Sequence, residues 1–410
     1  MSESRRPPLP SQERPHGLPV AALARTSGEV LDHGWVDDGA GVLSCIAGDH
    51  HSADQLVACP YYLRGDIVRR LVRHGFELAG PPSVRRRDGG YTKITALAGP
   101  ARWRELVAAL TPEHGVQPLA WSLFSSVDLT ASPGHVSIID PRDAFAVALR
   151  HHPVGRAAAR AHALLTGLAA AVDPAGRSGA LGLTGSAALD PDQLGTGQDV
   201  DLIVYPAAGG AGLVEAELTR AGARFLPDLA AACDPRAGDY QRGRMMPPIA
   251  DAATATALLP RRRDVAWVED LRIDLTYGLD HTHHLPEPAH QPYATAPAAR
   301  FTGATTITAV HPGYPVPLDL APLPLDGREP APGRLVITAR GWQGALRPGD
   351  ELQITAALHA GAPPPPGRVG RADALASSLG PGKREASWPE SSRWVSIDDA
   401  AGHALALVNP

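Results

Sequence analysis

Apolar residues recur at three- and four-residue intervals in some stretches of the chain and alternate or run together in others, so the pattern predicts interspersed helices and strands. Ile67, Val68, Leu71 and Val72 mark a helix face that starts near Asp66 and stops at Gly75. Trp103, Leu106 and Leu110 mark another that starts at Pro100, and Asp140 before Pro141 has the form of an N-cap. The Ala-rich segment from Arg156 to Val172 predicts a helix, and Leu213 to Ala221 another, ended by Gly222. Trp35-Val36 with Gly41 to Ile46 reads as a hairpin, and Ala180 to Thr184 and Asp199 to Tyr205 as strands. Val265 to Val268 and Leu271 to Tyr277 predict a second hairpin that turns at Glu269-Asp270. Past a Pro/His-rich linker the helical period disappears. Phe301 to Val310, Arg334 to Arg340 and Glu351 to Leu358 are rich in β-branched residues.

These patterns predict an α/β (α+β) multidomain protein, and 410 residues exceed the usual size of one hydrophobic core. The expected divisions are a disordered lead-in over 1–27 and an N-terminal α/β region over 28–150. A core with a mixed sheet follows over 151–285, then a small β-barrel-like C-terminal unit over 296–360. The remainder, 361–410, reads as a flexible tail with a final strand near Trp394 to Ile397.

Composition narrows the function classes. A formal net charge of −5 opposes a broad basic surface for nucleic acid. Cys45, Cys59 and Cys233 are odd in number and widely spaced, with neither a disulfide framework nor zinc-ligand spacing. No segment reaches the run of about 18 apolar residues that a membrane span requires. The Pro-, Arg- and Ser-rich N-terminus lacks the apolar centre of a signal peptide. A cytoplasmic protein is expected.

The chemistry gathers at three places. Gly185-Ser186 stands at a predicted strand-to-helix junction; twelve residues, Ala187 to Gln198, separate it from Asp199-Val200-Asp201; and Asp274 lies within Leu271-Arg272-Ile273-Asp274-Leu275. Residues two apart on a strand share a face, so Asp199 and Asp201 present their carboxylates together. Like charges side by side in a largely buried strand are unfavourable unless a cation balances them, and Mg²⁺ suits an oxygen-only donor set. A neighbouring strand that brought Asp274 to the same edge would complete a two-metal site. Gly185 permits close backbone approach, while Ser186 and the helix start behind it offer a hydroxyl and N–H groups to a phosphate. Asp264, Asp270 and Asp280 compete with Asp274 as the third acid. Asp274 is preferred because apolar residues flank it in strand phase.

Leu183-Thr184-Gly185-Ser186 followed by Asp199-Val200-Asp201-Leu202-Ile203-Val204 resembles the DNA polymerase beta-like nucleotidyltransferase superfamily. In layout the chain looks most like an uncharacterised prokaryotic, chiefly archaeal group within it. The resemblance implies a transferase that moves a nucleoside monophosphate from a nucleoside triphosphate, with ATP the expected donor, to a hydroxyl and releases pyrophosphate. It implies two Mg²⁺ ions, replaceable by Mn²⁺, with Asp199 and Asp201 as ligands to both and Asp274 as ligand to the nucleophile-side ion. Gly185 and Ser186 would contact phosphate, with Arg244 and Arg263 as candidate triphosphate contacts. The acceptor would be a small molecule or a short nucleic-acid end. The other reading left open is a catalytically inactive protein of the same fold that binds RNA or a protein as a regulator. His281-Thr282-His283-His284 lacks zinc spacing and reads as a surface loop.

Overall fold

In a computed structural model the described residues are 18–19, 32–47, 55–78, 82–86, 88–94, 100–118, 125–128, 136–172, 180–194, 199–205, 210–240, 252–277, 299–310, 316–325, 328–337, 345–360, 393–397 and 404–408. They form a mixed α/β protein with three sheets.

The first sheet is antiparallel and contains β1 (Leu18–Pro19), β2 (Trp35–Asp37), β3 (Val42–Ile46), β4 (Gln55–Arg64), β5 (Val84–Arg86), β6 (Gly89–Lys93), β7 (Val116–Pro118), β8 (Ser125–Asp128) and β9 (Ser137–Ile139). Its order is β1-β9-β2-β3-β4-β6-β5, with β8 also on β4 and β7 on β8. The strand β1 falls in the stretch expected as a lead-in, where Leu18 pairs with Ile138. Helices α1 (Gly65–Arg73) and α2 (Pro100–His114) accompany this sheet. Ile67, Leu71, Leu106 and Leu110 pack with Val36, Ile46 and Leu63. The β2–β3 turn is tied by Asp38, whose Oδ1 accepts from the backbone N–H groups of Ala40, Gly41 and Val42 at 2.8 Å each.

The second unit begins with α3 (Pro141–Arg150) and α4 (Arg156–Val172), and its sheet has the order β10-β11-β14-β13-β12. The strands are β10 (Leu181–Leu183), β11 (Asp199–Val204), β12 (Arg224–Phe225), β13 (Val265–Val268) and β14 (Leu271–Tyr277). The helices α5 (Gly185–Leu189), α6 (Gly210–Arg220), α7 (Leu226–Ala231), α8 (Pro235–Tyr240) and α9 (Ala252–Leu258) lie between them. Asp140 caps α3 through the Arg142 N–H at 2.7 Å, as its place before Pro141 predicts. Gly182 lets that helix approach β10, because a Cβ there would stand 2.7 Å from the Cβ of Pro141. The hairpin β13–β14 turns at Glu269-Asp270 with Val268 opposite Leu271, as the sequence pattern predicts.

The third sheet joins β15 (Ala299–Val310), β16 (Val316–Leu325), β17 (Arg328–Ile337), β18 (Glu351–Ala360), β19 (Arg393–Ile397) and β20 (Ala404–Leu407). The order is β15-β16-β17-β19-β18-β20, and β15 also pairs with β18. All these pairings are antiparallel except β17–β19.

One continuous apolar cluster runs from Trp35, Tyr62 and Tyr91 of the first sheet to Leu183 and Leu202 of the second and Ala187 of α5. Burial of side chains of this size contributes about 1.5–3 kcal/mol each. Thr184 Oγ1 donates to the carbonyl of His33 at 2.9 Å within this contact. An ion pair between Arg261 and Asp350 at 2.7 Å ties the second unit to the third.

Candidate functional site

Strand alternation divides the first part of β11, whereas Ile203 further along is buried although it shares the phase of the two acids. Val200, Leu202 and Val204 enter the apolar cluster, while Asp199 and Asp201 face the other way and stay partly exposed. Strand β14 alternates in the same manner, with Leu271, Ile273 and Leu275 buried and Arg272 and Asp274 partly exposed. The two strands are parallel, and their register sets Asp201 directly against Asp274 and Asp199 against Arg272. One carboxylate oxygen from each of Asp199, Asp201 and Asp274 therefore lies within 4.8 Å of the others.

Gly185 completes the edge. The Thr184 N–H donates to the Asp201 carbonyl at 3.0 Å, which holds the end of β10 beside β11. Gly185 then adopts φ +68°, and a Cβ built on it would stand 2.9 Å from the carboxyl carbon of Asp201. Only glycine accommodates both the conformation and the contact. Ser186 follows at the start of α5, partly exposed. That helix has five residues, so the turn offers the Ser186 hydroxyl and the N–H groups of one short helical turn.

Arg272 is the residue that sequence reasoning missed. Its Nε and Nη2 donate to the two oxygens of Asp274 at 3.0 Å each, and Nη2 also reaches Asp199. Burial opposes its charge, but Asp274, Asp199 and Asp201 outweigh that effect and hold the guanidinium protonated above its ordinary range. Its position two before Asp274 on the same strand was the available signal. Tyr62 of β4 is the second. Burial, the neighbouring Tyr61, Asp201 and Asp199 all push its phenol above the ordinary tyrosine range.

The competing acids are engaged elsewhere. Asp264 is paired with Arg262 in a buried site, at 2.8 Å from its Nε. Asp270 sits in the β13–β14 turn and pairs with Arg160. Asp280, Arg244 and His281 to His284 lie outside the described residues. Arg263 is not brought to Gly185 and Ser186: its guanidinium lies over the ring of Phe225 in the edge strand β12, at 5.7 Å. Among the described residues no helix is long and apolar enough to cross a membrane.

Three oxygen donors this close are the kind of set that a hard divalent cation takes. Side-chain exposures of 29% for Asp199 and 18% for Asp274 leave the cluster open to a solute. No family model, no curated protein and no solved structure matches this chain.

Proposed function

We propose that this protein is a metal-dependent nucleotidyltransferase that moves a nucleoside monophosphate from a nucleoside triphosphate to a hydroxyl acceptor. The observation that carries this is the in-register parallel pair β11–β14, which gathers Asp199, Asp201 and Asp274 beside Gly185-Ser186. The likeness to the DNA polymerase beta-like superfamily belongs to the same proposal.

In this reading Asp199 and Asp201 hold Mg²⁺, with Asp274 on the side of the attacking hydroxyl. Mg²⁺ would lower the barrier by polarising the phosphoryl oxygens and stabilising the hydroxyl in its deprotonated form. Three carboxylates against one guanidinium leave a net negative cluster that one divalent ion balances, so a second ion would arrive with the triphosphate. Asp274 takes the proton as the acceptor oxygen bonds to the α-phosphorus. The bond from that phosphorus to the β-bridging oxygen breaks, and pyrophosphate leaves with the electron pair. Ser186 donates its hydroxyl to the phosphate tail. The third sheet, with β15 bonded to both β16 and β18, would curl as a barrel-like unit beside the acceptor. The net charge of −5 favours a small acceptor or a short nucleic-acid end over a long nucleic-acid track.

The test is pyrophosphate release from each ribonucleoside triphosphate with Mg²⁺ and pooled small-molecule and RNA acceptors. Wild type is compared with Asp199→Ala/Asp201→Ala. Acceptor-dependent release that vanishes in the double variant supports the transferase; no turnover of any triphosphate contradicts it.

One observation favours a second reading, a non-catalytic binding protein. Arg272 already bridges two of the three carboxylates, and an arginine fixed there would occupy oxygens that a metal needs. Nucleotide-independent binding of RNA or protein, with no response to Mg²⁺, would support it.

A further inference from the structure

Strand β4 contains a β-bulge. Leu43 stands opposite Tyr62 while Ser44 stands opposite Pro60, which leaves Tyr61 as the extra residue. An extra residue interrupts the alternation of side chains and re-aims one of them. Tyr61 and Tyr62 accordingly meet with ring centroids 5.3 Å apart, and Trp35 touches both, at 5.7 and 5.4 Å. Tyr62 is buried in the cluster that joins the first sheet to the second, near enough to Asp201 and Asp199 for both charges to act on its phenol. Tyr61 remains partly exposed.

Lys93 ends β6 directly opposite Tyr62. Its ammonium lies 4.8 Å from the centre of the Tyr61 ring. The neighbouring strand β5 lies against α5, the helix that Gly185 and Ser186 begin. Among the described side chains around this place, Arg64 pairs with Asp66, Arg86 with Asp37 and Arg272 with Asp199 and Asp274. Among the described residues Lys93 makes no ion pair, and it is partly exposed. A cation over an aromatic face is held by the ring's quadrupole, yet keeps its N–H donors for a ligand. A triphosphate brings more negative charge than the Mg²⁺ that balances the carboxylates offsets, so positive charge on the substrate side favours its binding. Gly185 and Ser186 supply none.

We infer that Lys93, carried at the mouth of the acidic site by the Tyr61 ring, is the cation that receives the triphosphate of the nucleotide. This rests on the nucleotidyltransferase reading and extends it: the first sheet supplies a wall of the nucleotide site, and recognition begins at the phosphates.

The test measures binding of inorganic tripolyphosphate with Mg²⁺ by calorimetry, beside Mn²⁺ binding alone, in wild type and Lys93→Gln. The expected result is a loss of about 10- to 100-fold in tripolyphosphate affinity, as for one charge-assisted hydrogen bond, with Mn²⁺ binding unchanged. Equal tripolyphosphate binding by both proteins would overturn the role of Lys93 and leave the transferase reading standing. Loss of Mn²⁺ binding in Lys93→Gln would also overturn it, because the lysine would then act through the fold. Failure of the wild type to bind either Mn²⁺ or tripolyphosphate would remove the transferase reading and this inference with it.

Discussion

Gly185 and Asp201 are fitted to each other: the glycine turns at φ +68° against the carboxylate, where a Cβ would stand 2.9 Å from the carboxyl carbon. Gly185→Ala therefore forces either the turn or the acid to move. The left-handed conformation alone costs about 1–2 kcal/mol for a residue with a Cβ. Urea unfolding of Gly185→Ala should show at least that loss, and metal affinity should fall because Asp201 is displaced. A variant as stable as wild type, with the same metal affinity, would refute this fit.

Arg272 holds Asp199 and Asp274 through its Nε and Nη2. Removing one partner of a half-buried pair strands charge, so Arg272→Gln should destabilise the metal-free protein by about 2–4 kcal/mol. If a cation takes over from the guanidinium, millimolar Mg²⁺ should restore most of that stability and bind more tightly than to wild type. Thermal melts with and without Mg²⁺ read both effects. A destabilised variant that Mg²⁺ does not rescue would mark Arg272 as a permanent plug.

Asp201→Asn tests the opposite charge balance. It removes one of three crowded carboxylates while Arg272 keeps its partners. Metal-free melting should rise by the equivalent of about 1 kcal/mol, since functional clusters are held at a cost in stability. The gain that Mg²⁺ gives wild type, about 2.7 kcal/mol at a hundredfold excess over Kd, should disappear. Equal Mg²⁺ stabilisation of both proteins would mean that the ion binds elsewhere.

The hydrogen bond from Arg64, which also supplies a charge, holds the Asp66 carboxyl down at about 2 against its ordinary value near 4. A depressed acid stabilises the fold above its unfolded pKa and loses that contribution as pH falls toward the folded value. Asp66→Asn should therefore flatten the acid limb of the stability curve between about pH 4 and 2. The side chain is 51% exposed, so solvent screening keeps the neutral-pH loss within about 1 kcal/mol. Urea midpoints at pH 7, 4 and 2.5 check it; an unchanged slope between pH 4 and 2.5 would contradict it.

Much of the site's local structure is legible in the sequence, because period-2 alternation on β11 and β14 separates Asp199, Asp201 and Asp274 from their apolar neighbours. What brings Asp274 to Asp201 is a parallel pairing between strands far apart in the chain, and no local pattern encodes it. Strand β4 was hidden by Pro60, which interrupts a strand pattern and is accommodated beside the bulge. Strand β16 was hidden in the same way by Pro317, Pro322 and Pro324, with register shifts at Leu323 and Leu325. The contact of the first sheet with the second was also illegible: Thr184 meets the carbonyl of His33, and Tyr62 joins the apolar cluster of Leu183 and Leu202, only through tertiary packing.

The central claim is that Asp199, Asp201 and Asp274 form a divalent-metal site that works with a nucleoside triphosphate. The most direct measurement is a Mn²⁺ titration followed by electron paramagnetic resonance, with and without a non-hydrolysable triphosphate analogue, in wild type and Asp199→Ala/Asp201→Ala. The account predicts saturable Mn²⁺ binding that the analogue tightens by about tenfold or more through linkage, and its loss in the double variant. Mn²⁺ binding that is absent from wild type, or identical in the variant, would contradict it.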